Sequence, residues 1–342
     1  MTDKPRQKVL VARRHFLGIE EPLLREAGFD PIVGPGAWYE DTSYSARELA
    51  ELARDCAAIL VSPWDVVDAE VIAACPLLQA VVCPVIGVDQ IDQDTATRAG
   101  VLVCNSPTLS NFIGVAEATV GLIVALMKQL KRNEAELRGG GWYKVSNRGD
   151  MMLGRTIGLV GLGRIARETG RRLQGWGLKL IGHDPYVAAD AVRDVGIEVV
   201  SMERLLQDSD VVSLHVVLTR ETRNLLGVNE IRKMKRGAYI VNTARGGVID
   251  EAALAEALND GHIAGAALDV FENERLEAES PLRRVDPRRL ILTPHIIGHD
   301  RNVEEPGFRL AVKTIASILA GNTPETVVNR AAIDRWRARF WS

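Results

Sequence analysis

Residues 156–186, TIGLVGLGRIARETGRRLQGWGLKLIGHDPY, constrain the fold of this chain more than any other stretch. An apolar run leads into a glycine turn, the turn into a helix-patterned segment, and that segment into a second apolar run closed by Asp184. A strand followed by a helix and another strand lays the two strands parallel, because the crossover returns the chain to the same end of the sheet. The turn itself is Gly161-Leu-Gly163-Arg-Ile-Ala166. In such a G-x-G-x-x-A turn the first glycine permits the tight bend and the second lets a pyrophosphate approach the backbone. The small third residue lets the helix pack closely on the strand, and the phosphates meet the helix's positive N-terminus. Asp184 stands 21 residues beyond Gly163, where a carboxylate accepts hydrogen bonds from an adenosine ribose and repels a 2′-phosphate. Pro185 and Tyr186 follow it and supply no arginine for that phosphate. These residues point to NAD rather than NADP.

The same alternation runs along most of the chain and predicts an α/β fold with parallel sheets. Strand candidates are KVLVA (8–12), AAILVS (57–62), LQAVVC (78–83), GVLVCN (100–105), DVVSLHVV (210–217), GAYIVNTA (237–244), AGAALDVF (264–271) and RLILTPH (289–295). Residues 114–140 read as one long helix closed by glycines, and 306–321 as a final helix leading into a short polar tail. At 342 residues the chain is too long for one typical core and suits two domains.

Composition narrows the function classes. The chain is 46% hydrophobic and 25% charged, and its net charge of −3 comes from interspersed acids and bases. It offers neither the basic face of a nucleic-acid binder nor a polybasic membrane segment. The N-terminal MTDKPRQKVLVARRHF has no apolar core of signal-peptide length, and the most apolar run, VGLIVALM (120–127), is too short to span a bilayer. The expected location is the cytoplasm. Cys56, Cys75, Cys83 and Cys104 lack CxxC spacing and read as buried thiols of a reducing compartment, with no disulfide frame and no metal site.

Three polar residues each stand just beyond a strand candidate in the second half. Arg245 follows AYIVNTA, Glu274 follows GAALDVF, and His295 ends LILTPH. Singly, each has a bland reading as a solvated loop arginine, a member of an acidic stretch, or a core imidazole. Together they share the carboxyl ends of a parallel sheet, the edge where such folds bind ligands. An arginine fork grips a carboxylate at two points. A histidine exchanges a proton with an alcohol or carbonyl oxygen, and a carboxylate beside it orients its ring. The arrangement suits proton exchange with a carboxylate-bearing ligand in the crevice that would hold a nicotinamide.

GLVGLGRIARE, VNTARGGVIDEAALAEAL, ALDVFENE and LTPH resemble the signature segments of the D-isomer-specific 2-hydroxyacid dehydrogenases. That family includes glycerate, hydroxypyruvate/glyoxylate, phosphoglycerate and D-lactate dehydrogenases. The resemblance spans nearly the whole chain and is strongest over 114–295. It implies two Rossmann-like domains: a flavodoxin-like substrate domain, 1–106 and 299–342, interrupted by an NAD-binding domain, 107–298. It also implies a homodimer built on the helix 114–138 and closure of the domains over the coenzyme. The family's arginine, glutamate and histidine fall on Arg245, Glu274 and His295. Coenzyme contacts would come from Gly161, Gly163, Arg164, Ile165, Asp184, Val216, Thr243, Ala244, Asp269 and Gly298. The glycines after Arg245 would let the backbone approach coenzyme and substrate.

The chain departs from the family pattern in three places. Val85-Ile86-Gly87 replaces the Gly-x-Gly of the loop that faces the substrate carboxylate, and a β-branched residue at 85 stiffens it. Relatives of the glyoxylate/hydroxypyruvate type also lack that first glycine. Ser62 stands where phosphoglycerate-type members carry an arginine, which disfavours phosphoglycerate, and Trp64 reads equally as an aromatic that narrows or lines the cleft or as a packed surface residue. Beyond His295, Ile297 and Asp300 occupy positions where glycine and threonine are common, and His299 adds a second imidazole. Arg13 and Arg14 close the first strand candidate. They read as a solvated pair, or as one cation that attracts an anionic substrate. The favoured reading is an NAD-dependent reductase of a small 2-oxo acid. The alternative is an NAD(H)-responsive, corepressor-like binding protein, disfavoured because all three polar site residues are present and long disordered extensions are not.

Overall fold

The computed structural model describes residues 6–38, 40, 43–300 and 302–342. Two compact units make up the chain, Met1–Asn111 with Asp300–Ser342, and Phe112–His299. Each is an α/β layer structure around its own parallel sheet.

The first unit contains β1 (Lys8–Arg14), β2 (Asp30–Ala37), β3 (Ala58–Leu60), β4 (Ala80–Val82) and β5 (Leu102–Cys104), in the order β2-β1-β3-β4-β5. β1 is buried on both faces, as a strand in a helix-covered parallel sheet must be. Val9 and Val11 face one core with Phe308, Ile315, Ile318 and Trp336. Leu10 and Ala12 face the other with Leu49, Val71 and Leu78. Two segments depart from the sequence reading. DPIVGPGA forms β2 at the sheet edge, where its prolines interrupt no central ladder. The polar tail contains the helix Ile333–Phe340. Its Trp336 is fully buried, and Ile333 and Phe340 pack partly against the same core.

The second unit contains β6 (Thr156–Val160), β7 (Lys179–His183), β8 (Ile197–Val199), β9 (Val211–Leu214), β10 (Ala238–Asn242), β11 (Ile263–Leu268) and β12 (Leu290–Leu292). Their order is β12-β11-β10-β9-β6-β7-β8. The direction of winding reverses between β6 and β9, and such a switch point opens a crevice at the carboxyl ends.

The long helix read over 114–140 is two helices, Leu109–Met127 and Leu130–Arg138. The break lies at Gln129, whose φ of +54° is left-handed. The returning chain is tied to it, since Asp150 N–H donates to Met127 O at 2.7 Å and Lys128 Nζ donates to Asp150 O at 2.7 Å. The helix Leu109–Met127 extends well before the run VGLIVALM and is, by length and composition, apolar enough to cross a membrane. Its inner face packs in a core of the second unit through Ile123, Leu126 and Met127.

Candidate active site

The glycine turn stands at the end of β6. Gly161 has φ +88°, and a Cβ there would lie 2.8 Å from both His215 O and Val216 Cγ1. Only glycine fits the bend and the crossing chain beside it. Gly163 is exposed, and a Cβ there would have nothing within 4 Å. It opens the ten-residue helix Arg164–Leu173, whose N-terminus carries no side-chain cap. That end therefore keeps backbone N–H groups for an anion. Ala166 is fully buried where the helix meets the sheet. These features fit a dinucleotide pyrophosphate.

Asp184 fastens the turn to the end of β7. Its Oδ2 accepts from Leu162 N–H and its Oδ1 from Tyr186 N–H, each at 2.9 Å. A carboxylate oxygen has a second lone pair, so both remain able to accept from ribose hydroxyls. Arg164 is exposed with its guanidinium over the Phe112 ring at 5.1 Å, and Ile165 is half-buried beside it. His215, the residue after β9 at the same crevice, is held neutral, because burial pushes its pKa down to about 4. Its Nε2 lies 3.0 Å from Ser213 Oγ.

The end of β10 sets Thr243, Ala244 and Arg245. Thr243 Oγ1 lies 3.0 Å from Thr119 Oγ1, which itself donates to Val115 O at 2.8 Å. Asn242, buried at the strand end, shapes the loop from both sides. Its Oδ1 accepts from Ala244 N–H at 3.0 Å, and its Nδ2 donates to Arg245 O at 2.9 Å. Arg245 is half-buried and donates through Nη1 to Ala244 O at 2.7 Å. A Cβ on Gly246 would lie 1.8 Å from Phe271 C and 2.4 Å from Glu272 N. This glycine therefore lets the arginine loop lie directly on the backbone that leads to Glu274, a different task from the approach to coenzyme expected of it.

Glu274 and His295 are in direct contact, Oε1 to Nδ1 at 3.2 Å, each about one-third exposed. Glu274 Oε1 also accepts from Phe271 N–H at 3.3 Å. His295 adopts φ +50°, a left-handed conformation uncommon outside glycine and characteristic of over-determined functional positions. Asp269 holds that loop. Its Oδ1 accepts from the Thr293 hydroxyl at 2.6 Å and from Ile296 N–H at 3.0 Å. Asp269 is 2% exposed, and burial raises its pKa against those two hydrogen bonds. Thr293 and Asn242 are supporting residues that the sequence did not single out, because their role lies in which backbone groups they fasten. Gly298 stands against helix Leu109–Met127, where a Cβ would lie 2.9 Å from Val115 Cγ2.

The first unit has its own switch point between β1 and β3. Arg13, read as a solvated or substrate-attracting cation, is 1% exposed, and its Nε donates to Asp65 Oδ1 at 2.6 Å. Its guanidinium also covers the Tyr44 ring at 4.7 Å. An arginine buried against a fully buried aspartate is already neutralised, so this expectation is corrected. Arg14 remains exposed. Ser62 turns toward the same aspartate, its hydroxyl donating to Asp65 Oδ2 at 2.8 Å. Trp64 is half-buried, with its backbone N–H donating to Ser62 Oγ at 3.2 Å. Val85, Ile86 and Gly87 are half-buried at the end of β4. Val85 O accepts from Ser106 N–H and Ile86 O from Asn105 Nδ2, both at 2.9 Å.

Residues 120–296 match the D-isomer specific 2-hydroxyacid dehydrogenase, NAD binding domain. A glyoxylate reductase from Korarchaeum cryptofilum is 35% identical over 301 residues, covering 86% of this chain and 90% of that protein. A D-3-phosphoglycerate dehydrogenase from Methanocaldococcus jannaschii is 37% identical over 84% of this chain and 54% of its own length. The structure of D-lactate dehydrogenase from Aquifex aeolicus, complexed with NAD and lactic acid, superimposes with a TM-score of 0.80 at 26% identity. It covers 92% of this chain and 96% of that one. The chain belongs to the D-isomer-specific 2-hydroxyacid dehydrogenases and is an NAD-dependent oxidoreductase of that family.

Proposed function

We propose that this enzyme reduces a small 2-oxo acid of the glyoxylate or hydroxypyruvate kind to the D-2-hydroxy acid. The observation that carries the reading is the contact of His295 Nδ1 with Glu274 Oε1 at 3.2 Å, at the edge of the sheet that also bears the glycine turn and Arg245. When bound, NADH supplies the hydride to C2 of the oxo acid. The turn from Gly161 to Ala166 would receive its pyrophosphate and Asp184 its ribose. Val216, Thr243, Ala244, Asp269 and Gly298 are proposed to border the rest of the coenzyme.

Arg245 grips the substrate carboxylate through its planar fork and fixes the acid for transfer. His295, ring-oriented by Glu274, delivers the proton to the carbonyl oxygen as it becomes a hydroxyl. The first unit is assigned as the substrate domain, with Val85–Gly87 as its substrate loop, and the second as the coenzyme domain. Preference over 3-phosphohydroxypyruvate is supported by Ser62 and Arg13, both engaged by Asp65. Neither is available to a phosphate. We further propose a homodimer through the region 114–138, supported by the exposed Leu130 and Leu137 on it and the exposed Trp142 and Tyr143 just after it. A cytoplasmic site suits four buried free thiols, of which burial pushes Cys83 and Cys104 up to about 12.

NADH oxidation against glyoxylate, hydroxypyruvate, pyruvate, phenylpyruvate and 3-phosphohydroxypyruvate, with NADPH alongside, tests the reading. Turnover is expected to be best with one of the first two acids and with NADH. Fastest turnover of the phosphorylated acid would overturn the substrate choice, and NADH binding without turnover of any acid would favour a binding protein.

A further inference from the structure

The hydrogen bonds around Thr243 run in one direction. Thr119 stands in the middle of helix Leu109–Met127 and is fully buried. Its Oγ1 lies 2.8 Å from Val115 O and 3.0 Å from Thr243 Oγ1. A hydroxyl carries one hydrogen and two lone pairs, whereas a carbonyl oxygen can only accept. The contact with Val115 O is a hydrogen bond only if Thr119 donates, which commits its one hydrogen. The contact with Thr243 is then a hydrogen bond only if the Thr243 hydroxyl donates to Thr119. Both hydrogens are thereby committed. Among the described residues Thr243 Oγ1 forms no other hydrogen bond, so its lone pairs remain. At the end of β10 it offers an acceptor and no donor.

Thr119 does little for its own helix. A threonine that bonds back to the carbonyl four residues earlier is neutral to unfavourable in a helix interior, and an apolar side chain suits a fully buried position better. The same turn of the helix also supports a second loop of the reactive edge, since a Cβ on Gly298 would lie 2.9 Å from Val115 Cγ2.

We propose that Thr119 is a positioning residue for the coenzyme, orienting the Thr243 hydroxyl so that its lone pairs accept from an N–H or O–H group of NADH. The proposal rests on the reading that Thr243 borders the coenzyme. Without the Thr119 oxygen the Thr243 hydroxyl is free to rotate, and its hydrogen then competes with the donor it should receive. Fluorescence titration of NADH into wild type, Thr119→Ser, Thr119→Val, Thr243→Val and the double valine variant tests the assignment. Thr243→Val and Thr119→Val are each expected to weaken NADH about fivefold, the loss of one hydrogen bond. Thr119→Ser is expected to bind like wild type. The double variant is expected to bind no worse than Thr243→Val alone, because both changes remove the same contact. Valine effects that multiply, a serine variant as weak as the valine one, or wild-type binding by Thr119→Val beside a weakened Thr243→Val overturns the proposal and leaves Thr243 at the coenzyme. Wild-type binding by Thr243→Val overturns both. Reduced 3-acetylpyridine adenine dinucleotide, whose methyl ketone has no N–H, separates the two donors. Sensitivity to Thr119→Val that is lost with this analogue assigns the carboxamide, and sensitivity that is kept assigns a ribose hydroxyl. A melting temperature of Thr119→Val equal to wild type separates lost binding from lost fold. If that variant melts early, Thr119→Ala serves in its place.

Discussion

Gly163 and Gly246 both follow strands at the reactive edge, yet a methyl group would meet opposite surroundings at the two positions. At Gly163 it would enter open space above a helix N-terminus, and at Gly246 it would lie 1.8 Å from the backbone of Phe271. Gly163→Ala is therefore expected to leave the melting temperature unchanged and raise KM for NADH, since the methyl occupies the space a pyrophosphate needs. Gly246→Ala is expected to cost about 3 kcal/mol or more of stability, at the upper end of overpacking, and to lower kcat by displacing Glu274. Thermal melts and steady-state kinetics on both variants check this contrast; equal melting temperatures would refute it. Residues of this kind divide by how local their role is. Arg245, Glu274 and His295 were visible in the sequence because their chemistry and their place after apolar runs are local facts. The pairing of Arg13 with Asp65 was not, because the partner lies 52 residues away and only the fold brings it near.

The elements repeat that division. The strand–turn–helix–strand unit around Gly161 was legible because periodicity, turn residues and the closing acid agree within thirty-one residues. β2 was hidden by its prolines and glycines, which an edge position tolerates. The break at Gln129 carries no glycine or proline, and the packing of the returning Asp150 segment fixes it. The tail helix did carry a signal, since apolar residues at 333, 336 and 340 follow helical spacing between arginines.

The end of β9 gives a pH dependence. His215 is depressed from 6.5 to about 4 by burial. Between those values the unfolded chain binds a proton that the folded chain refuses, so stability falls as pH drops through this window. Denaturant titrations at pH 7 and pH 5 are expected to show a loss in the wild type that His215→Gln reduces by up to about 2 kcal/mol. An identical loss in both proteins would contradict the assignment.

At the scale of the molecule, two parallel sheets each wind in two directions and so each present a switch-point crevice. The second unit's crevice carries the glycine turn, a neutral histidine and the Glu274–His295 pair. The first unit's carries a buried, neutralised arginine and a serine turned inward, both held by Asp65. That two doubly wound units would form was legible from length and alternation. What each crevice would hold depended on long-range partners such as Asp65 and Asp269.

Whether His295 moves the proton in the proposed reduction is read from kcat of His295→Ala with NADH and the best acid of the panel, with NADH binding followed by fluorescence. NADH is expected to bind as in the wild type while kcat falls by roughly 10²–10⁴-fold, the range of a lost general acid. A kcat within a few-fold of wild type, with binding intact, would contradict it.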